Sequence, residues 1–272
     1  MELNSYIQQR AFAKSTVEEL EKCFREINNV ISSKSIIEIS FLYNSKLLMP
    51  TQMGDGNTIA DWLYGLPMPD RQLQTRVIPK LLSMLPDTSD DFADIEQLKS
   101  AYPNDLNSFW GIHFAIHKEY HLHSTEECSN FINVSMWRLM DASTFSWLYP
   151  ILLPNIIVAD SALSQIEGLG VSNNFSIVIE DLKKLNCFCE SWSSGTFSIT
   201  TLKQSFAIDT TDESNSTKSN EKLKSYRRFQ LKGLGSQYCF LHIKHGDYRL
   251  HYFPDNCNRQ IHIGYVGKHL PI

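Results

Sequence analysis

The sequence predicts an α+β protein, with a mainly helical, acidic N-terminal body and a small C-terminal antiparallel β-sheet. Three observations lead there. Apolar residues recur at helical spacing through much of the first half, and they alternate with period two after residue 225. The charge also changes sign: residues 221–272 hold nine Lys or Arg against three acids, whereas the preceding chain holds 16 basic and 27 acidic groups. With 42% hydrophobic and 20% charged residues, the 272-residue chain has the composition of a folded protein and is long enough for two unequal parts.

The first element is an amphipathic helix in "STVEELEKCFREINNVISS". A capping-box pattern opens it, and Val17, Leu20, Cys23, Phe24, Ile27 and Ile31 form one stripe. "IIEISFLYN" alternates as a strand does, and "TIADWLYGLP" reads as a short helix stopped by Gly65 and Pro67. "RQLQTRVIPKLLSMLP" is helical in pattern, with Pro79 either bending the helix or standing at its start. A further helix is expected over "NDLNSFWGIHFAIHKEYHLH", capped by Asn104 or Asp105. "DTTDESNSTKSNEKLK" lacks periodicity, so residues 209–224 are expected to be an exposed linker between a 1–208 body and a 225–272 basic module.

Four strands are expected in that module, in "YRRFQL", "QYCFLHIKH", "YRLHYF" and "QIHIGYV". Their short connections favour an antiparallel meander, with Gly233-Leu234-Gly235 as a hairpin turn. A two-residue turn at Gly246-Asp247 pairs His245 with Tyr248, Lys244 with Arg249, Ile243 with Leu250, His242 with His251 and Leu241 with Tyr252. Alternation then sends Cys239, Leu241, Ile243, Leu250 and Tyr252 to one face, joined by Ile261, Ile263 and Tyr265. His242, Lys244, Arg249, His251 and His262 share the other face, with Lys268 and His269 at its rim.

Lys244 opposite Arg249 is a like-charge pair, which costs stability unless an anion compensates it. Imidazoles can act as acid and base, cations can stabilise charge developing on a phosphate, and RNA supplies its own 2′-hydroxyl nucleophile. These residues therefore predict a metal-independent patch, needing no cofactor, in which His242 and His251 exchange protons and Lys244 and Arg249 hold phosphate. His262 and His269 stand as substitutes, and Arg227, Arg228, Lys232, Arg259 and Lys268 are expected to contact nucleic acid.

The segment "YCFLHIKHGDYRLHYF" followed by "IHIGYVGKHLP" resembles the terminal sheet of RelE/HigB-type toxins. The matching residues are Arg249-Leu250-His251-Tyr252-Phe253, closed by Lys268 and His269, and they cover about one sixth of the chain. The small toxins lack the long N-terminal part present here. The resemblance implies a toxin-like RNA-cleaving or ribosome-associated module of bacterial phage defence, restrained by its own N-terminal region or by a protein partner.

Two alternatives stand beside it. One is a non-catalytic protein that docks nucleic acid or an acidic partner through the basic sheet. The other is a metal-dependent hydrolase using His113, His117 and His121, whose spacing of four would align imidazoles on a helix. The six cysteines show no Cys-x-x-Cys pair, and "MELNSYIQQRAFAKS" has no apolar core for a signal peptide. "WLYPILLPNIIV" falls short of the roughly 20 residues of a membrane span. A reduced, cytoplasmic protein without membrane contact is expected.

Overall fold

The structure is a computed structural model that describes residues 2–33, 37–65, 76–103, 105–113 and 118–271. It contains both helices and strands, and it divides into two compact units, Met1–Ser135 and Met136–Ile272. The division does not fall at the expected linker.

The first unit is built on a parallel sheet rather than on helices alone. Strands β1 (Glu2–Ile7), β2 (Glu38–Leu42), β3 (Leu106–Trp110) and β4 (His121–Leu122) pair in the order β2-β1-β3-β4, and every pairing is parallel. All five residues of β3 are buried. Phe109 lies beside Tyr6 in a core with Leu42, Phe92, Ile95 and Leu98, while the Trp110 indole donates to Cys23 Sγ at 3.2 Å. A strand covered on both faces has no reason to alternate. Where a helix is expected over residues 104–123, the described residues form β3, a short 3-10 turn at Lys118–Tyr120 and β4; Asn104 and residues 114–117 lie outside the described residues.

Helix α1 (Val17–Ser32) begins as expected, with Thr16 Oγ1 accepting from the Glu19 amide and Glu19 accepting from the Thr16 amide. Its buried stripe is Leu20, Cys23, Phe24, Ile27 and Val30. Short helices α2 (Ser45–Leu48), α3 (Ile59–Tyr64), α4 (Ile78–Met84) and α5 (Ile95–Ala101) complete the unit. Gly65 caps α3, and Pro79 stands in the first turn of α4, where its missing N–H costs nothing. Pro67 lies outside the described residues. Helix α6 (Thr125–Leu139) straddles the boundary between the units.

The second unit continues with α7 (Phe145–Leu152), β5 (Ile156–Val158), α8 (Asp160–Glu167), α9 (Asn173–Ser191), α10 (Ile199–Phe206) and β6 (Thr210–Thr211). Helices α11 (Asn215–Ser219) and α12 (Glu221–Ser225) follow, then β7 (Arg228–Leu231), β8 (Gly235–Tyr238), β9 (Leu241–His245), β10 (Tyr248–Asp255) and β11 (Gln260–Lys268). The main sheet has the order β5-β11-β10-β9-β6, in which β9, β10 and β11 form the expected meander. Ile243, Leu250, Tyr252, Ile261, Ile263 and Val266 pack into one core with Ala162 and Ile166 of α8 and Val178, Leu182 and Leu185 of α9. Among the described residues, no helix is long and apolar enough to cross a membrane.

Three expectations for this unit are corrected. "QYCFLHIKH" is not one strand: it breaks at Cys239-Phe240, and β7 and β8 form a separate two-stranded sheet. Residues 209–224 are not an exposed linker, because Thr210 and Thr217 are buried and β6 pairs with β9 along Thr210–Ile243 and Thr211–His242. Tyr265 does not follow the apolar set. A bulge sets His251 opposite Tyr265 but Tyr252 opposite Ile263, leaving Gly264 as the extra residue. Tyr265 thereby joins the histidine face, and Val266 takes its place in the core.

Candidate functional site

The β9–β10 hairpin has the register its turn predicts, with Lys244 opposite Arg249 and His242 opposite His251. Gly246 takes φ +54°, which the first residue of a two-residue hairpin turn favours. The His242 and His251 rings lie 5.0 Å apart at an interplanar angle of 33°. His242 Nε2 stands 3.1 Å from Thr211 Oγ1, and its Nδ1 stands 3.8 Å from Glu213 Oε1. His251 Nδ1 is 3.1 Å from the Cys239 carbonyl oxygen, so that nitrogen carries the proton and donates.

This face is not the open cationic surface that alternation implied. His242 is 6% exposed, His251 1% and His262 4%. The chain from β6 to β8 folds back across it: Phe229 stacks on Tyr265 with centroids 5.8 Å apart, and Tyr265 meets His251 at 5.9 Å. Burial pushes His251 down to about 3 and lowers His242 and His262 as well. The three imidazoles are neutral at pH 7. His262 Nε2 is 4.0 Å from Asp255 Oδ2.

Arg227, expected to reach nucleic acid, is also enclosed at 1% exposure. Its Nε donates to Glu213 Oε1 at 2.9 Å, and its Nη1 donates to the carbonyls of Leu223 at 3.2 Å and Pro271 at 2.5 Å. Lys232 is exposed but paired with Asp160 at 3.0 Å.

The remaining cations divide by position. Lys244 and Lys268 are exposed, while Arg249 is half-buried with Nη1 donating to the carbonyls of Gly246 and Tyr248. Lys268 pairs with Tyr248, and the His269 amide donates to the Asp247 carbonyl at 2.8 Å. Lys244, Arg249, Lys268 and His269 therefore all lie at the Gly246-Asp247 end of the sheet, but the bulge moves Lys268 off the rim of the histidine face expected for it. Lys244 and Arg249 stay on that face, and Lys268, in register with Tyr248, belongs to the other. Arg259 is exposed at the β10–β11 turn, near the opposite end of β10. Arg228 is exposed, and its Nε donates to Ser236 Oγ at 2.7 Å. Among the described residues, Lys244, Arg249, Arg259 and Lys268 form no ion pair, while Lys218, Lys224, Arg227 and Lys232 each have a carboxylate.

Several groups have no mark in the sequence pattern. Glu213 and Thr211 lie in the stretch whose composition suggests a linker, and nothing local distinguishes them. Tyr238 and Phe240 are half-buried and stacked with nearly parallel planes, centroids 5.4 Å apart, with Lys224 Nζ 4.9 Å over the first ring and Lys218 Nζ 5.2 Å over the second. On the helix side of the sheet, His245 Nε2 hydrogen-bonds buried Asp181 of α9. A legible signal does exist for Asp181: it interrupts the apolar stripe Val178, Leu182, Leu185.

In the first unit, the expected histidine helix is absent from the described residues. His113 is exposed in the connection after β3 and His121 is buried in β4; His117 lies outside the described residues. Burial pushes His121 down to about 4. Among the described residues, Glu213, His242 and His251 do have metal-compatible spacing, with one donor atom from each lying within 4.8 Å of the others.

The chain matches no known protein family, no curated protein and no solved structure.

Proposed function

We propose that the second unit binds single-stranded RNA, with phosphates held at the hairpin end of the sheet by Lys244, Arg249, Lys268 and His269. The observation that carries this reading is the adjacent pair Lys244 and Arg249, two cations placed side by side with no carboxylate partner among the described residues. Such a pair is destabilising by itself and is relieved by an anion. The Tyr238 and Phe240 rings supply apolar surface for bases. Phe240 precedes Lys244 by four residues, about 13 Å along an extended chain, a separation that accommodates a short run of nucleotides.

Binding is favoured over cleavage. His242, His251 and His262 are neutral and covered, so a proton exchange with a bound 2′-hydroxyl would first require the β7–β8 hairpin to lift. Anisotropy of a labelled single-stranded RNA at increasing salt tests the reading. Wild type should bind with a negative salt slope, and Lys244→Ala, Arg249→Ala and Lys268→Ala should each reduce its magnitude by about 0.7, the value for one phosphate no longer neutralised. Lys232→Ala, whose charge Asp160 already compensates, should bind as wild type does. Salt-insensitive binding, or equal affinity in the triple alanine variant, refutes the proposal. RNA cut in EDTA by wild type but not by His251→Asn would restore the catalytic reading.

A further inference from the structure

We propose that Glu213, His242 and His251 form a binding site for a divalent transition-metal ion of the zinc class, which fastens the segment covering the histidine face to the sheet beneath it. The three ligands come from separate places: Glu213 from the chain after β6, His242 from β9 and His251 from β10. One donor atom of each lies within 4.8 Å of the others. Tetrahedral zinc, with bonds of about 2.0–2.2 Å to nitrogen and oxygen, keeps its donors about 3.4 Å apart, so the site closes by roughly 1 Å on binding.

The surroundings are those a metal ligand needs. The Nδ1–H of His251 is engaged by the Cys239 carbonyl, which fixes the tautomer and leaves the Nε2 lone pair for an ion. Both imidazoles are buried, His242 at 6% and His251 at 1% exposure, so little solvent competes with an ion for their nitrogens. Arg227 holds Glu213 through Oε1 alone, so Oε2 remains for coordination. The guanidinium also gives hydrogen bonds to the Leu223 and Pro271 carbonyls, which fixes it and thereby the Glu213 carboxylate. His242 faces Glu213 with Nδ1, 3.8 Å from Oε1, while Thr211 Oγ1 meets the other ring nitrogen, Nε2, at 3.1 Å and orients the ring, so a water takes the fourth position.

The inference does not depend on RNA binding and is read by metal content. Full-length protein bearing a tag without histidine is stripped with chelator, then titrated with Zn²⁺ while bound metal and Tm are measured. Wild type should hold one zinc more per chain than Glu213→Gln or His242→Asn, with a rise in Tm of more than about 4 °C that both variants lose. Glu213→Gln keeps an oxygen for Arg227. Hydrogen exchange on wild type alone covers the case in which a variant fails to fold: zinc should slow exchange in residues 209–228 and in β9 and β10. Equal zinc in wild type and variants places any ion elsewhere and overturns the proposal, as does unchanged exchange in those segments.

Discussion

Replacing Gly264 with alanine tests how the histidine face is closed. Gly264 is the extra residue of the β11 bulge, and a Cβ there would stand 2.8 Å from Cys239 Sγ and 2.8 Å from Phe229 Cδ2. Carbon atoms pack comfortably at about 3.5–4.0 Å, so each neighbour must retreat by about 0.7 Å or more. Overpacking of that kind costs about 1–3 kcal/mol, offset by about 0.4–1 kcal/mol from the stiffer unfolded chain. A net loss of about 1–2 kcal/mol is expected. If the Phe229 ring is the main obstacle, Gly264→Ala should cost about 1 kcal/mol less in a Phe229→Ala background, a coupling large enough for a double-mutant cycle. Native-state hydrogen exchange of β10 and β11 amides reads the stability of this unit separately from the other. Additive costs, or a neutral Gly264→Ala, would mean that the hairpin does not press on the sheet at Gly264.

Three further outcomes follow from the same geometry. Burial holds the folded-state pKa of His121 near 4, below its unfolded value of about 6.5; the unfolded chain takes the proton first, so stability is complete above 6.5 and falls as pH drops towards 4. By pH 5 the His121 share of this loss is about 2 kcal/mol, read as the difference between wild type and His121→Asn in urea unfolding; the loss that buried His251 contributes in the second unit is common to both proteins. Arg227→Met leaves Glu213 without its cation in a nearly closed site and should cost about 3 kcal/mol, most of it recovered when Glu213→Leu is added. Thr16→Ala removes the capping box of α1 and should cost about 1 kcal/mol, read as faster exchange in the first turn of that helix.

What the sequence reveals and what it hides follow from the range of the interactions involved. The capping box of α1, the stop at Gly65, the place of Pro79 and the β9–β10 register are all set by residues a few positions apart, and each is visible in the sequence. β3 is not, because a parallel strand buried on both faces carries no period to recognise. The segment 209–224 looks like a linker because composition alone cannot reveal that Thr210 pairs with Ile243 or that Glu213 meets Arg227. The bulge at Gly264 is hidden for another reason: a single inserted residue reverses every later side chain, and here it moves Tyr265 and Val266 to opposite faces.

Alternation correctly groups His242, His251 and His262, yet it does not say whether their face meets water. The structure sorts that mixed set of cations by a simple cost. An imidazole can shed its proton and enter the interior as a neutral ring, so the covered centre of the face is made of histidines. Lysine resists this and arginine scarcely does it at all, so Lys244, Arg249 and Lys268 remain at the hairpin end, where solvent or a polyanion can reach them. Arg227 is the fully enclosed exception, and it is the one that brings a carboxylate and two carbonyl oxygens with it. The same cost explains why the buried group has the chemistry of metal ligands and the exposed group that of phosphate binding: covering one face separates neutral nitrogen donors from permanent charges.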